Sequence, residues 1–162
     1  MNAAQDGPGA GGGPVERLSA LGITLPAPPK AAGSYQPTQR SGSLLFTSGQ
    51  LPLVDGALPL TGKVGAQVAP EDAQAHARQC AVNVLAVVHA AVGLDAVVRV
   101  VKVVGFVASA DGFTGQPGVI NGASDLFAEV FGDAGRHARS AVGVADLPFG
   151  APVEVEAIFE VR

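Results

Sequence analysis

The sequence predicts an α+β domain, a two-layer sandwich of one mixed β-sheet with two helices on one face. Two segments carry apolar residues at helical spacing: Ala73 to Ala91, and Ile120 to Phe131. Five shorter runs are rich in β-branched or alternating apolar residues and read as strands. Their order along the chain is β-β-α-β-α-β-β.

Residues 1 to 14 are mostly Gly, Ala and Pro and are set apart as a flexible tail, leaving residues 15–162 as a single domain. Val15, Leu18 and Leu21, followed by Gly22, predict a short helix with a glycine stop. Residues 25–30 are Pro-rich and extended. Residues 35–40 and 44–48 read as two strands joined through Ser41-Gly42-Ser43. Residues 50–62 form a loop with turns at Asp55-Gly56 and Thr61-Gly62.

Pro70-Glu71-Asp72 opens a long helix, because proline suits a first turn and acids suit its positive end. Its second half is apolar almost all round, so deep burial is expected, and Gly93 ends it. The Val-rich run 97–108 reads as a strand covered on both faces. Residues 113–118 read as a loop, 119–131 as the second helix, and Gly132 as its stop. Strands at 140–146 and 153–161 close the order. In the last, Val153, Val155, Ala157, Phe159 and Val161 share one side, while Glu154, Glu156, Ile158 and Glu160 share the other. The sheet face without helices has no cover from this chain, so a homo-oligomer, most simply a ring, is expected.

Composition supports that reading. Apolar residues make up 48% of the chain, charged residues only 15%, and mean hydropathy is +0.34. Such sparse charge suits a surface partly hidden between subunits. The net charge is −4 and the ten Lys and Arg are scattered, which argues against a nucleic-acid partner. Cys80 is the single cysteine, so no internal disulfide framework exists. No Cys/His spacing reads as a zinc site, no signal-peptide pattern opens the chain, and no apolar run reaches the length of a membrane span. A cytoplasmic location is the default expectation.

Arg139 is the sharpest candidate for chemistry. It stands at the head of the alternating run Ser140 to Asp146, and its guanidinium can grip a carboxylate with two parallel hydrogen bonds. Spacing alone slightly favours a surface ion pair with Asp133 or Glu129 instead. Glu154 can serve as a general base or orient a water, or can be one of three solvated acids on its strand face. Asn121 can hold a substrate or cap a turn. Tyr35, the single tyrosine, can bind through its hydroxyl or pack at a rim. Ser48-Gly49 ends a strand, where a glycine lets a ligand approach the backbone or simply turns the chain. His76, His89 and His137 read as less promising, and Cys80 as an inert core thiol. Arg99 and Lys102 read as charges that reach an interface or pair with Glu154, Glu156 or Glu160.

Tyr35, the run Leu45-Phe46-Thr47-Ser48-Gly49-Gln50-Leu51-Pro52, Val119-Ile120-Asn121, Arg139-Ser140-Ala141-Val142, Leu147-Pro148 and Val153-Glu154-Val155-Glu156-Ala157 together resemble the RidA/YjgF family. These are the reactive intermediate deaminases, sometimes labelled endoribonuclease L-PSP. The resemblance covers roughly residues 33 to 161, and the extra N-terminal helix and longer loops look like a longer subgroup.

The resemblance implies a chorismate-mutase-like fold, a homotrimer with clefts between subunits, and hydrolysis of 2-imino or enamino acids to 2-oxo acids and ammonia without a cofactor or metal. It implies that Arg139 binds the substrate carboxylate and Glu154 orients or activates water. Tyr35, Ser48, Gly49 and Asn121 then line the cleft. Many of these deaminases carry a cysteine where this chain has Ala141, a position that can act through its backbone carbonyl. That departure keeps open a non-catalytic trimer that binds small carboxylates or metabolites. RNA cleavage, the older family label, is opposed by the acidic balance.

Overall fold

The computed structural model describes residues 12–28, 30–31 and 33–162. Among the described residues, three α-helices and five strands follow in the order α1 (Pro14–Ala20), β1 (Thr38–Ser41), β2 (Leu44–Thr47), α2 (Pro70–Val92), β3 (Val97–Ala108), α3 (Gln116–Phe131), β4 (Ala138–Val144) and β5 (Val153–Val161). One sheet runs in the order β1-β2-β5-β3-β4. Only β3 and β4 are parallel, joined by α3 as the crossover a parallel pair requires. β5 is antiparallel to both neighbours and lies between β2 and β3.

The α+β sandwich expected from the sequence is therefore present, and both long helices pack on one face. The core interleaves Ala77, Cys80, Val84 and Leu85 of α2 and Ile120, Leu126 and Phe127 of α3 with Val155, Ala157 and Phe159 of β5. Helices α2 and α3 approach closely because Gly122 has no side chain; a Cβ there would overlap the Gln74 carbonyl oxygen. The opposite sheet face is only partly covered. Phe46 and Val142 are exposed on it, and Glu154, Glu156 and Ile158 are half-buried.

Several boundaries differ from the sequence reading. Helix α1 begins at Pro14, which takes the first-turn position that suits proline, so only residues 1–11 of the expected tail lie outside the described residues. Tyr35 is not in a strand. It closes a tight bend, with its N–H donating to the Gly33 carbonyl at 2.9 Å, and β1 starts at Thr38. Helix α3 starts at Gln116 rather than 119, since Pro117 again fills a first turn. Strand β4 spans 138–144 because its parallel pairing with β3 begins at Lys102 opposite Ala138.

The second half of α2 is buried on all sides from Cys80 to Val88, as its composition predicts. Its outer side is covered from within the chain. Val15, Leu18, Ile23 and Leu25 lie beside Ala86 and Ala90, and the Asn83 amide donates to the carbonyls of Leu51 and Leu53 at 2.9 and 3.0 Å. The described residues 15–25 thus lie along this side of the helix, with α1 itself resting mainly on α3. Among the described residues, no helix is long and apolar enough to cross a membrane.

Candidate functional site

Two clusters emerge, and they lie on different sides of the sheet. The first gathers Glu154, Gly49, Ser48 and Tyr35. Glu154 stands on the central strand β5, opposite Phe106 of β3. Its neighbours Val153 and Val155 are fully buried toward the helices, so alternation turns Glu154 to the other face. The chain leaving β2 is pinned beside it, because Gln50 and Val155 exchange backbone hydrogen bonds at 2.8 and 3.1 Å. That pairing places Gly49 against the carboxylate, where a Cβ would overlap Glu154 Oε1. Ser48 Oγ donates to the Gln36 carbonyl at 2.6 Å, which braces the segment carrying Tyr35. A cavity of about 310 Å³ opens here, bordered by Tyr35, Gly49, Leu51, Phe149 and Glu154.

Burial pushes the Glu154 carboxyl above the usual range, and the charge of Glu156 adds to the effect. Cys80 Sγ lies 3.7 Å from the Val153 carbonyl, and burial holds its thiol well up, with Glu154 reinforcing the shift. A protonated core thiol is the inert group its sequence setting predicts.

The second cluster is built on β4 and the first half of α3. The register Val103 opposite Arg139 puts Arg139 on the helix side of the edge strand. Its Nη1 donates to Asn121 Oδ1 at 2.8 Å and to Ser124 Oγ at 3.2 Å, and its Nη2 donates to the Pro117 carbonyl at 3.3 Å. The ion-pair alternative does not hold. Glu129 pairs with Arg78 at 2.6 Å, and Asp133 with Arg136 at 3.4 Å. Ala141, two residues along the same strand face, packs its methyl group against the core.

His137, passed over in the sequence, belongs to this cluster. Its Nδ1 lies 2.6 Å from the Gly135 carbonyl and its Nε2 2.9 Å from Ser124 Oγ. A carbonyl only accepts, so Nδ1 carries the proton; in the neutral ring Nε2 then accepts from the Ser124 hydroxyl. Burial lowers the imidazole below its ordinary value and the Arg139 charge lowers it further, against the opposing hydrogen bond to Gly135. Ser124 is thereby fixed as a donor to His137 and an acceptor from Arg139. One signal was present: Ser124 follows Asn121 by three residues on one helix face, whereas His137 lies just before β4.

Of the residues singled out from the sequence, the structure joins Tyr35, Ser48, Gly49 and Glu154 in one group and Asn121, Ala141 and Arg139 in another. Strand β3 separates the two, and they face opposite sides of the sheet. Arg99 pairs with Glu160 at 3.1 Å, away from both groups.

A mixed five-stranded sheet backed by two long helices on one face defines the α+β class of this protein. The chain belongs to the family described as "YjgF/chorismate mutase-like, putative endoribonuclease", whose model matches residues 15–157. It is 50% identical to Protein TCP17 of Trypanosoma cruzi over 155 residues, covering 94% of this chain and 97% of that protein. It is 40% identical to the 2-iminobutanoate/2-iminopropanoate deaminase of Salmonella typhimurium over 130 residues, covering 80% and 89% of the two chains. A crystal structure of an Agrobacterium tumefaciens protein of unknown function superposes with a TM-score of 0.83 at 51% identity, covering 90% of each chain.

Proposed function

We propose that this protein hydrolyses reactive 2-imino acids and their enamino tautomers to 2-oxo acids and ammonia, at clefts formed between copies of the chain in a homotrimer. The observation that carries the reading is the split of the site. One surface offers an arginine already oriented by Asn121, Ser124 and Pro117. The other offers a carboxylate beside a cavity. Each is half of a hydrolytic site, and apposing two copies joins an Arg139 to a Glu154. The Salmonella relative is named for this reaction.

The chemistry needs little else. Arg139 holds the substrate carboxylate and sets the imino carbon in place. Glu154 accepts a proton from water as the water oxygen bonds to that carbon, giving a carbinolamine. The proton returns to the nitrogen, the C–N bond breaks, and the hydroxyl oxygen closes the C=O bond. The hydroxyl proton passes through Glu154 to the departing ammonia. One iminium acid and one water yield one 2-oxo acid and one ammonium ion, with no change of oxidation state. A carboxyl held above its usual value suits a group that takes and returns a proton. Tyr35, Ser48 and the Gly49 backbone form the wall beside Glu154, and Asn121 and the Ala141 backbone that beside Arg139.

The test is consumption of 2-iminopropanoate and 2-iminobutanoate generated in situ, read as loss of trapped imine and release of ammonia. Wild type shortens the imine lifetime, while Arg139→Ala and Glu154→Gln do not. An unchanged lifetime with wild-type protein overturns the reading. Ala141, which supplies only a methyl group, favours a second reading as a carboxylate binder. Melting shifts with 2-oxo acids and no turnover would select it.

A further inference from the structure

Phe149 has no structural reason to be phenylalanine. Its ring is 77% exposed, the largest exposure among the large apolar residues described. Its backbone is left-handed, with φ 59° and ψ 15°, a conformation that disfavours a bulky L-residue. The loop cannot relax out of it. Gly150 N–H donates to the Leu147 carbonyl at 3.1 Å, Ala151 N–H to Pro148 at 3.1 Å, and Gly62 N–H to Gly150 at 2.9 Å, while Ala151 and Val153 beyond are fully buried. A glycine would satisfy this turn without strain. A strained, exposed aromatic residue held in place by its surroundings points to function. Phe149 also borders the cavity beside Glu154, where Tyr35, Leu51 and Leu53 give apolar wall and Lys30 and Gln50 the polar part of the lining.

We propose that Phe149 is a specificity-determining residue, closing an apolar subsite that selects 2-imino acids with bulky apolar side chains over those with one- or two-carbon side chains. The proposal rests on the deaminase reading and deepens it. With the substrate carboxylate on Arg139 and its imino carbon at Glu154, the side chain is the part left to fill this cavity. A cavity of about 310 Å³ is ample for a branched or aromatic group. The backbone that carries the ring is already held by its hydrogen bonds, so binding orders only the side-chain torsions of Phe149.

The test compares kcat/KM for imines generated in situ from alanine, 2-aminobutyrate, leucine and phenylalanine. Wild type is expected to favour the last two. In Phe149→Ala, the ratio of bulky to small substrates falls about tenfold or more. Phe149→Leu keeps most of the preference, and Phe149→Gly loses it while melting at a higher temperature. A ratio unchanged in Phe149→Ala overturns the proposal, as does a change in assembly mass, which makes the ring an intersubunit contact instead. Failure of wild type on every imine removes the deaminase reading itself. Turnover of small imines with no effect of Phe149 removes only the subsite.

Discussion

Gly49 and Glu154 share one volume: the space a Cβ on Gly49 would occupy is filled by Glu154 Oε1. The carboxylate direction is therefore set by the absence of a side chain two residues past β2. Gly49→Ala is expected to swing Glu154 aside and lower kcat/KM on the order of 100-fold. Crowding is expected to cost about 1–3 kcal/mol of stability. Steady-state rates beside denaturant unfolding separate the two effects.

Glu154 itself carries a stability cost at neutral pH. Its folded-state pKa lies above the ordinary value of 4.5, so its contribution favours folding below that pH and is lost as pH rises through the raised value. Glu154→Gln removes the ionised group. The variant is expected to be inactive, and at pH 7.5 more stable than wild type. The gain should shrink toward pH 4.5, as urea unfolding at the two pH values will show.

His137 gives the opposite sign. Its folded-state pKa is lowered from 6.5, so the stability it allows is present above that pH and is lost as pH falls through the lowered value. Protonation also removes the acceptor at Nε2 that orients Ser124. The unfolding free energy of wild type is expected to fall below pH 6.5 more steeply than that of His137→Asn, measured from pH 8 to 5.

Ser124 links that histidine to Arg139. Ser124→Ala leaves the guanidinium with Asn121 and Pro117 only. A roughly tenfold rise in KM, with kcat less affected, is expected if Arg139 holds the substrate carboxylate. Michaelis curves for one imine check it.

The packing of α1 has its own test. Leu18 is 2% exposed and belongs to the core. Leu18→Ala is expected to cost about 2–4 kcal/mol, although Leu18 belongs to neither cluster. Chemical denaturation measures that cost, and little change would mean this packing is dispensable.

Much of the fold was legible because period and punctuation agree in α2, β3 and β5. The almost wholly apolar second half of α2 announced deep burial, although not that residues 15–25 and the Leu51–Leu53 segment lie against it. Boundaries slipped where proline opens a helix, at Pro14 and Pro117, because the same residue also reads as a loop. Strand order was not written locally: nothing near Val153 reveals that it lies between β2 and β3. The candidate residues were found one by one, but their division between two sheet faces follows from that order. His137 was hidden because its value lies in Ser124, a partner thirteen residues away in another element.

The position of β5 also governs how the molecule is made. Leu44 pairs with Glu160 across more than a hundred residues of chain. Contacts so distant in sequence are slow to form, because the intervening loop must close before they reward it. Until β5 arrives, β2 and β3 each show a bare edge that another chain can grasp. The insertion that completes the sheet also delivers the acid of the first cluster. Productive folding and escape from aggregation are thus one race, decided by a single strand.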